Sequence, residues 1–218
     1  MDTFAASAAR VPPQRSLREV KHKEKRPTKQ RISDVLSGRE RQTYTFHDLP
    51  LTPAAVLLPL YEKDGELYIV FTKRPETMQF HKGQICFPGG RCSDEDESPR
   101  DTALREAFEE IGLRADDVEV LGELDKMCTA SSNFLITPFV ALIPHPYEFT
   151  ASEEEIDELI EIPVSTLLDK NNYYEKLQEF HGAPYLGSFF DYEGRVIWGA
   201  TAKILRQFLD LVFGEDAE

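Results

Sequence analysis

Three glutamates fall close together in the run Arg105-Glu106-Ala107-Phe108-Glu109-Glu110-Ile111-Gly112-Leu113, shortly after a loop Phe87-Pro88-Gly89-Gly90. Residues three and four apart are neighbours on a helix, so Glu106, Glu109 and Glu110 would share an arc of about 100°. Like charges that close repel one another unless a cation lies between them. Carboxylate oxygens are hard ligands suited to Mg²⁺ or Mn²⁺. Such ions bind phosphate oxygens and activate water. The residue types and their spacing therefore point to metal-dependent hydrolysis of a phosphoanhydride. Most acidic clusters are only solvated helix faces. Two features argue against that here: no lysine stands at i+4 from any of the three, and the glycine loop brings backbone close to whatever the helix faces.

The elements that must position these glutamates are legible. Ser98 is a good N-cap, Pro99 suits the first helical position, and Asp101 closes a Ser-x-x-Asp box. Gly112 suits the left-handed position after the last turn. Leu104, Ala107, Phe108 and Ile111 are expected on the core side of this helix, opposite the glutamates.

The pattern resembles the box of the Nudix hydrolases, Gly-x5-Glu-x7-Arg-Glu-U-x-Glu-Glu-x-Gly-U with U aliphatic. Arg105 to Leu113 match its second half, with Ala107 at the U position. In the first half, six residues separate Gly90 from Glu97, and a count of five lands on Asp96; either acid could fill the upstream role. The resemblance implies an α/β (α+β) Nudix fold, a mixed sheet sandwiched between helices. It also implies Mg²⁺ or Mn²⁺ as cofactor, with Glu106, Glu109 and Glu110 as metal ligands. A Gly89 or Gly90 carbonyl could add an oxygen. Arg105 would pair with the upstream acid and orient the glutamates. The general base in this family varies and often lies on a distant loop. Glu155, within Glu153-Glu154-Glu155, is the first candidate and Glu97 the second; the alternative for the trio is an acidic helix N-terminus.

A second resemblance selects a branch. Thr72-Lys73-Arg74 and Gly83-Gln84-Ile85-Cys86-Phe87-Pro88-Gly89-Gly90 are similar to the segment that marks the coenzyme A pyrophosphatases, as are Thr137-Pro138, Glu155 to Glu158 and Ile197 to Ala202. The implied substrate is coenzyme A or acyl-CoA, cut to adenosine 3′,5′-bisphosphate and 4′-phosphopantetheine, with Arg74, Lys82, Gly89 and Gly90 at the substrate. Two positions depart: Pro75 replaces Ser or Ala, and Gln79 replaces an arginine whose planar fork would hold phosphate. Lys82 or Lys73 could take its place. ADP-ribose, a dinucleotide or a nucleoside triphosphate are the alternative substrates. A silent nucleotide-sensing module is the alternative of another class, against which the intact Arg105, Glu106, Glu109, Glu110 set argues.

Strands are expected over 53–61 and 67–71 about a turn at Lys63-Asp64-Gly65, then over 85–87, 118–125 with a bulge at Gly122, 134–143 and 160–163, followed by a helical turn over 164–169. A hairpin about Glu193-Gly194 precedes a helix over 200–213 with Ile204, Leu205, Phe208, Leu211 and Val212 inward. Trp198 is expected in the core of that hairpin. No element is assigned between 170 and 188.

The net charge of −14 divides unevenly. Residues 1–45 carry 11 Lys and Arg against 5 Asp and Glu, and the rest carry 14 against 34. The first part reads as a basic, flexible extension with a short helix near 32–37 that docks on the domain; 46–213 reads as the hydrolase domain and 214–218 as an acidic tail. The acidic body argues against nucleic-acid binding. No apolar run is long enough for a membrane span and no secretory signal is apparent. Cys86, Cys92 and Cys128 form no CxxC pair, which fits a reducing cytoplasm, and none has a base beside it. The expected partner is a small CoA-like nucleotide, without membrane or nucleic acid, and a homodimer is one expected assembly.

Overall fold

A computed structural model describes residues 27–41, 51–77, 81–129, 132–180 and 183–214. The N-terminal stretch through 26, the acidic tail from 215, and Gln79 and Phe80 lie outside the described residues. The first element is helix α1, Lys29–Ser37. Strands β1 (Thr52–Lys63) and β2 (Glu66–Lys73) form a hairpin, with positive φ at both Asp64 and Gly65 as a two-residue turn requires. Two short strands follow, β3 (Ile85–Cys86) and β4 (Gly89–Arg91), and then helix α2, Pro99–Ile111. Strands β5 (Glu119–Glu123), β6 (Met127–Cys128), β7 (Phe134–Leu142) and β8 (Glu158–Pro163) lead to the short helix α3, Val164–Leu168. A meander of β9 (Tyr173–Phe180), β10 (Ala183–Tyr192) and β11 (Arg195–Trp198) ends in helix α4, Gly199–Phe213.

The large sheet runs β3-β2-β1-β7-β5, with β8 also on β2, β4 on β1 and β6 on β7. It is mixed: β1 pairs parallel with β7 from Thr52↔Phe134 to Leu60↔Leu142, and antiparallel with β2. β1 reads as an unbroken apolar run because both its faces are covered. Ala55, Leu57 and Tyr61 belong to a core with Ala103, Ala107 and Ile111 of α2. Leu58 and Leu60 belong to a second core with Ile32 and Leu36 of α1 and Phe208 of α4. The sheet is thus sandwiched between helices, as the sequence implies.

The bulge expected at Gly122 is present as a register shift between Val120 and Gly122. A side chain there would begin 2.5 Å from the Leu36 Cβ, so the glycine is where α1 seats on the sheet. Arg39, just after α1, pairs with Asp125 at 2.6 Å and fastens the same junction.

Four details differ from expectation. Phe108 is 56% exposed, and the buried stripe of α2 is Thr102, Ala103, Ala107, Glu110 and Ile111. The helix is rotated so that small residues meet β1 and β4, which a bulky Phe108 could not do. On α4, Leu209 lies inside and Leu211 only partly so, because Arg206 and Leu209 share the face toward the meander and its core. Trp198 is 41% exposed; β11 sends Ile197 into the core, and strand alternation sends Trp198 the other way. The gap between 170 and 188 is filled by β9 and the first half of β10.

Candidate active site

The glycine loop and the box helix meet at van der Waals limits. Gly89 has φ 152°, and a Cβ on it would lie 2.4 Å from the Ala55 carbonyl oxygen and 2.6 Å from the Val56 Cα. A Cβ on Gly90 would lie 2.4 to 2.6 Å from the Glu106 carboxylate. β4 pairs with β1 through Ala55↔Gly90 and Val56↔Gly89, so the loop is a strand of the sheet. The Ser98 hydroxyl caps α2 by accepting from the Asp101 N–H, and Gly112 closes it at φ 70°, both as expected.

Arg105 is the hub. Its Nε and Nη2 donate to the two oxygens of Asp96 at 2.9 and 3.0 Å, and its Nη1 donates to Glu106 and Glu109, each at 2.9 Å. Nη2 also reaches the Arg91 carbonyl at 3.3 Å. Asp96 accepts further bonds from the Thr102 hydroxyl at 2.8 Å and the Ser93 N–H at 2.9 Å. These donors, the Arg105 guanidinium foremost, hold its carboxyl well below the usual carboxylate range. The choice between the two upstream acids therefore falls on Asp96. Glu97 is exposed and makes no bond to Arg105, because the turn at Ser93 directs Asp96 beneath the first turn of α2 and Glu97 outward.

The glutamates are not equivalent. Glu110 is 1% exposed and accepts from the Gly89 N–H at 3.2 Å, with the Arg74 Nη1 at 3.8 Å. Burial pushes its carboxyl up to about 8, against the pull of Gly89 and Arg74, and the charges of Glu106 and Glu155 push the same way. Glu106 is also raised, first by burial and then by Glu109 and Glu155, although Arg105 opposes. Glu109 is the outermost and is held by Arg105 four residues earlier. The compact three-glutamate cluster expected from helix spacing is accordingly not assembled. Among the described residues no three His, Cys, Asp or Glu side chains form a group that could hold a metal ion. The donor set nevertheless fits a divalent cation. Glu110 is a buried carboxylate with one backbone donor and a distant guanidinium, and the negative charges of Glu106 and Glu155 bear on it. That surplus of hard oxygen is what Mg²⁺ or Mn²⁺ would offset.

The loop that carries Glu155 is spliced to the end of α2. The Thr150 N–H donates to the Ile111 carbonyl at 3.0 Å and the Ser152 N–H to the Glu110 carbonyl at 2.9 Å. Tyr147 secures the same junction, its hydroxyl lying 3.0 Å from the Arg114 N and 3.2 Å from the Gly112 carbonyl. Sequence reasoning missed Thr102 and Tyr147; Thr102 stands one turn before Arg105, which was a usable signal, but nothing local marks Tyr147. Arg74 lies over Glu110, with a buried Nε that has no hydrogen-bond partner. Lys82 is exposed and touches none of these groups. Lys73 pairs with Asp157 at 3.2 Å. Burial pushes the Cys86 thiol up to about 11, which suits no nucleophile. No helix among the described residues is long and apolar enough to cross a membrane.

The NUDIX domain family matches residues 50–180. A protein of Yersinia enterocolitica named "Uncharacterized Nudix hydrolase NudL" is 38% identical over 159 residues, 73% of this chain and 80% of that protein. Its namesake from Yersinia pestis is 36% identical over the same length, 73% of this chain and 79% of that protein. Among solved structures, an Ap4A hydrolase binary complex from C. elegans aligns with a TM-score of 0.46 and 15% identity, covering 54% of this chain and 84% of that one. The NUDIX domain of Shewanella oneidensis NrtR complexed with ADP ribose aligns with a TM-score of 0.43 and 16% identity, covering 55% and 77%.

Proposed function

Because the chain belongs to the Nudix family, we propose that it is a pyrophosphohydrolase that cleaves the diphosphate linkage of coenzyme A or acyl-CoA. The observation that carries the hydrolase assignment is the buried Glu110 carboxylate, held by the Gly89 N–H, beside Glu106, which the Asp96-anchored Arg105 holds against Gly90. The CoA branch rests on the sequence likeness around Arg74 and the Gly83 to Gly90 segment.

Glu106 and Glu110 would hold Mg²⁺ or Mn²⁺, with Glu109 at the outer side; the ion supplies charge neutralisation of the diphosphate and acidifies water. Arg105 stays charged and neither takes nor gives a proton; it fixes the rotamers of Glu106 and Glu109. Arg74 has a guanidinium near the carboxylates, and its charge is suited to a phosphate. Glu155 accepts the proton of the attacking water. A new P–O bond forms from that water as the bridging P–O bond breaks, and the second phosphate departs with the bridging oxygen. Glu97 is the second candidate base, but its outward position favours Glu155.

A panel of coenzyme A, dephospho-coenzyme A, ADP-ribose, a diadenosine polyphosphate and ATP tests this, with Mg²⁺ or Mn²⁺ in ¹⁸O-labelled water and products identified by mass. Coenzyme A should give adenosine 3′,5′-bisphosphate and 4′-phosphopantetheine with the highest kcat/KM. Preference for ADP-ribose would move the assignment to the reading that the missing arginine at 79 keeps open. Inertness to every diphosphate would overturn it.

A further inference from the structure

We propose that two copies of this chain associate through β9, pairing edge to edge across a two-fold axis centred on Leu177. The three-stranded sheet has the order β11-β10-β9, so among the described residues β9 has a partner on one side only. Natural edge strands are blunted by proline, bulges, short length or charged side chains, lysine above all, and of these β9 carries only the last, in Glu175, Lys176 and Glu179. β9 is eight residues long, has no proline, and keeps an unbroken register with β10 from Ala183↔Phe180 to Phe190↔Tyr173.

Its side chains are unusual for a solvent edge. Six large apolar side chains are exposed among the described residues; Phe108 is one, and Tyr174, Leu177, Tyr185, Leu186 and Trp198 all lie on this sheet. Leu177 is 69% exposed and faces Leu186, 44% exposed, directly across the strand pair. The exposed aromatic Tyr174 lies on the opposite face, stacked on Phe189 at 5.1 Å between centroids. A partner laid on one face would cover only one of these groups. Extension of the sheet by another strand covers both.

The self-complementary pattern selects a second copy. Antiparallel strands related by a two-fold normal to the sheet keep the same face on the same side. Centring on Leu177 places Leu177 against its own copy and builds the row Leu186, Leu177, then their two equivalents. It sets Lys176 against Gln178. It also sets Glu175 against Glu179, and the Glu175 charge is already met by Arg206 at 2.7 Å. At about 200 Å² for a full large side chain, Tyr174, Leu177, Tyr185 and Leu186 of β9 and β10 offer roughly 380 Å², while Trp198 on β11 lies at the far edge and stays outside the contact. That is about half of the ~800 Å² that one partner gives to a standard interface, before any strand backbone is added.

Sedimentation of the full chain tests the proposal. At roughly 100 µM, far above a micromolar Kd, the chain should run as a dimer. Leu177→Asp sets two carboxylates face to face at the axis and should return it to monomer with the melting temperature and kcat per chain unchanged. Leu177→Cys should give a covalent dimer on mild oxidation that the wild-type chain, with its three cysteines, does not give. A monomer at that concentration overturns the proposal. So does a dimer that survives Leu177→Asp without cross-linking through Leu177→Cys. Dimerisation only after deletion of residues 1–26 would assign the edge to the chain's own N-terminal segment and would also overturn it.

Discussion

Arg105 meets Asp96 with two parallel N–H bonds, at 2.9 and 3.0 Å, while the neighbouring Glu97 is left in solvent. A guanidinium fixed at one end by this fork has its remaining Nη1 aimed at Glu106 and Glu109. Asp96 is thus a positioning residue for both glutamates, acting through Arg105.

Asp96→Asn keeps the shape and removes the charge. It should lower kcat on a diphosphate by about 10-fold or more and cost roughly 2–4 kcal/mol of stability, since Asp96 is almost fully buried and Arg105 would lose its main partner. Glu97→Gln should change neither. Steady-state kinetics and urea melts of the two variants check this. Equal losses in both would mean that the two acids share the role.

Much of this was legible before folding. The capping of α2 could be read because Ser98, Pro99 and Gly112 act through local backbone geometry. The acid that Arg105 selects could not, because it depends on the turn by which the Asp96 N–H bonds the Ser93 carbonyl and the Ser93 N–H bonds the Asp96 carboxylate. The exposure of Phe108 was hidden for a similar reason. Leu104, Ala107, Phe108 and Ile111 make a plausible apolar stripe, and only the close approach of β4 requires Ala103 and Ala107 to face inward. β9, Tyr-Tyr-Glu-Lys-Leu-Gln-Glu-Phe, carries five helix formers against three strand formers, and its pairing with β10 fixes it as a strand.

Glu110 predicts an unusual pH dependence. Its folded pKa, about 8, stands above its ordinary 4.5. Between those values the folded chain binds more protons than the unfolded chain, so its contribution to stability falls as pH rises from about 4.5 to about 8. Glu110→Gln cannot ionise. In the presence of a chelator it should be more stable than wild type by up to about 5 kcal/mol above pH 8, with the difference vanishing near pH 4. Denaturant melts across that range measure it. The same variant should lose nearly all turnover. A constant stability difference across pH would show that Glu110 is not the titrating group.

Gly90→Ala separates fold from activity. The added Cβ meets the far end of the Glu106 side chain, which can swing away at little cost to the fold. Stability should stay within about 1 kcal/mol of wild type, and kcat should fall by about 10²-fold because Glu106 is displaced. Gly89→Ala should instead destabilise severely, because its Cβ meets the Ala55 carbonyl and Val56 Cα of β1, which cannot yield. Comparable stability in the two variants would contradict this division.

Glu155 is tested against its own neighbours. Glu153, Glu154 and Glu155 are all exposed, yet the charge of Glu155 acts on both Glu106 and Glu110. The splice of Thr150 and Ser152 onto the end of α2 sets that approach. Glu155→Gln should lower kcat by about 10²- to 10⁴-fold, the range for loss of a general base, while leaving KM nearly unchanged. Glu153→Gln and Glu154→Gln should remain close to wild type. Tyr147→Phe removes the hydroxyl bridge to Gly112 and Arg114 and should give a smaller loss of kcat, because it loosens the loop and leaves the base in place. Near-wild-type kcat in Glu155→Gln beside a large loss in Glu97→Gln would pass the role of base to Glu97.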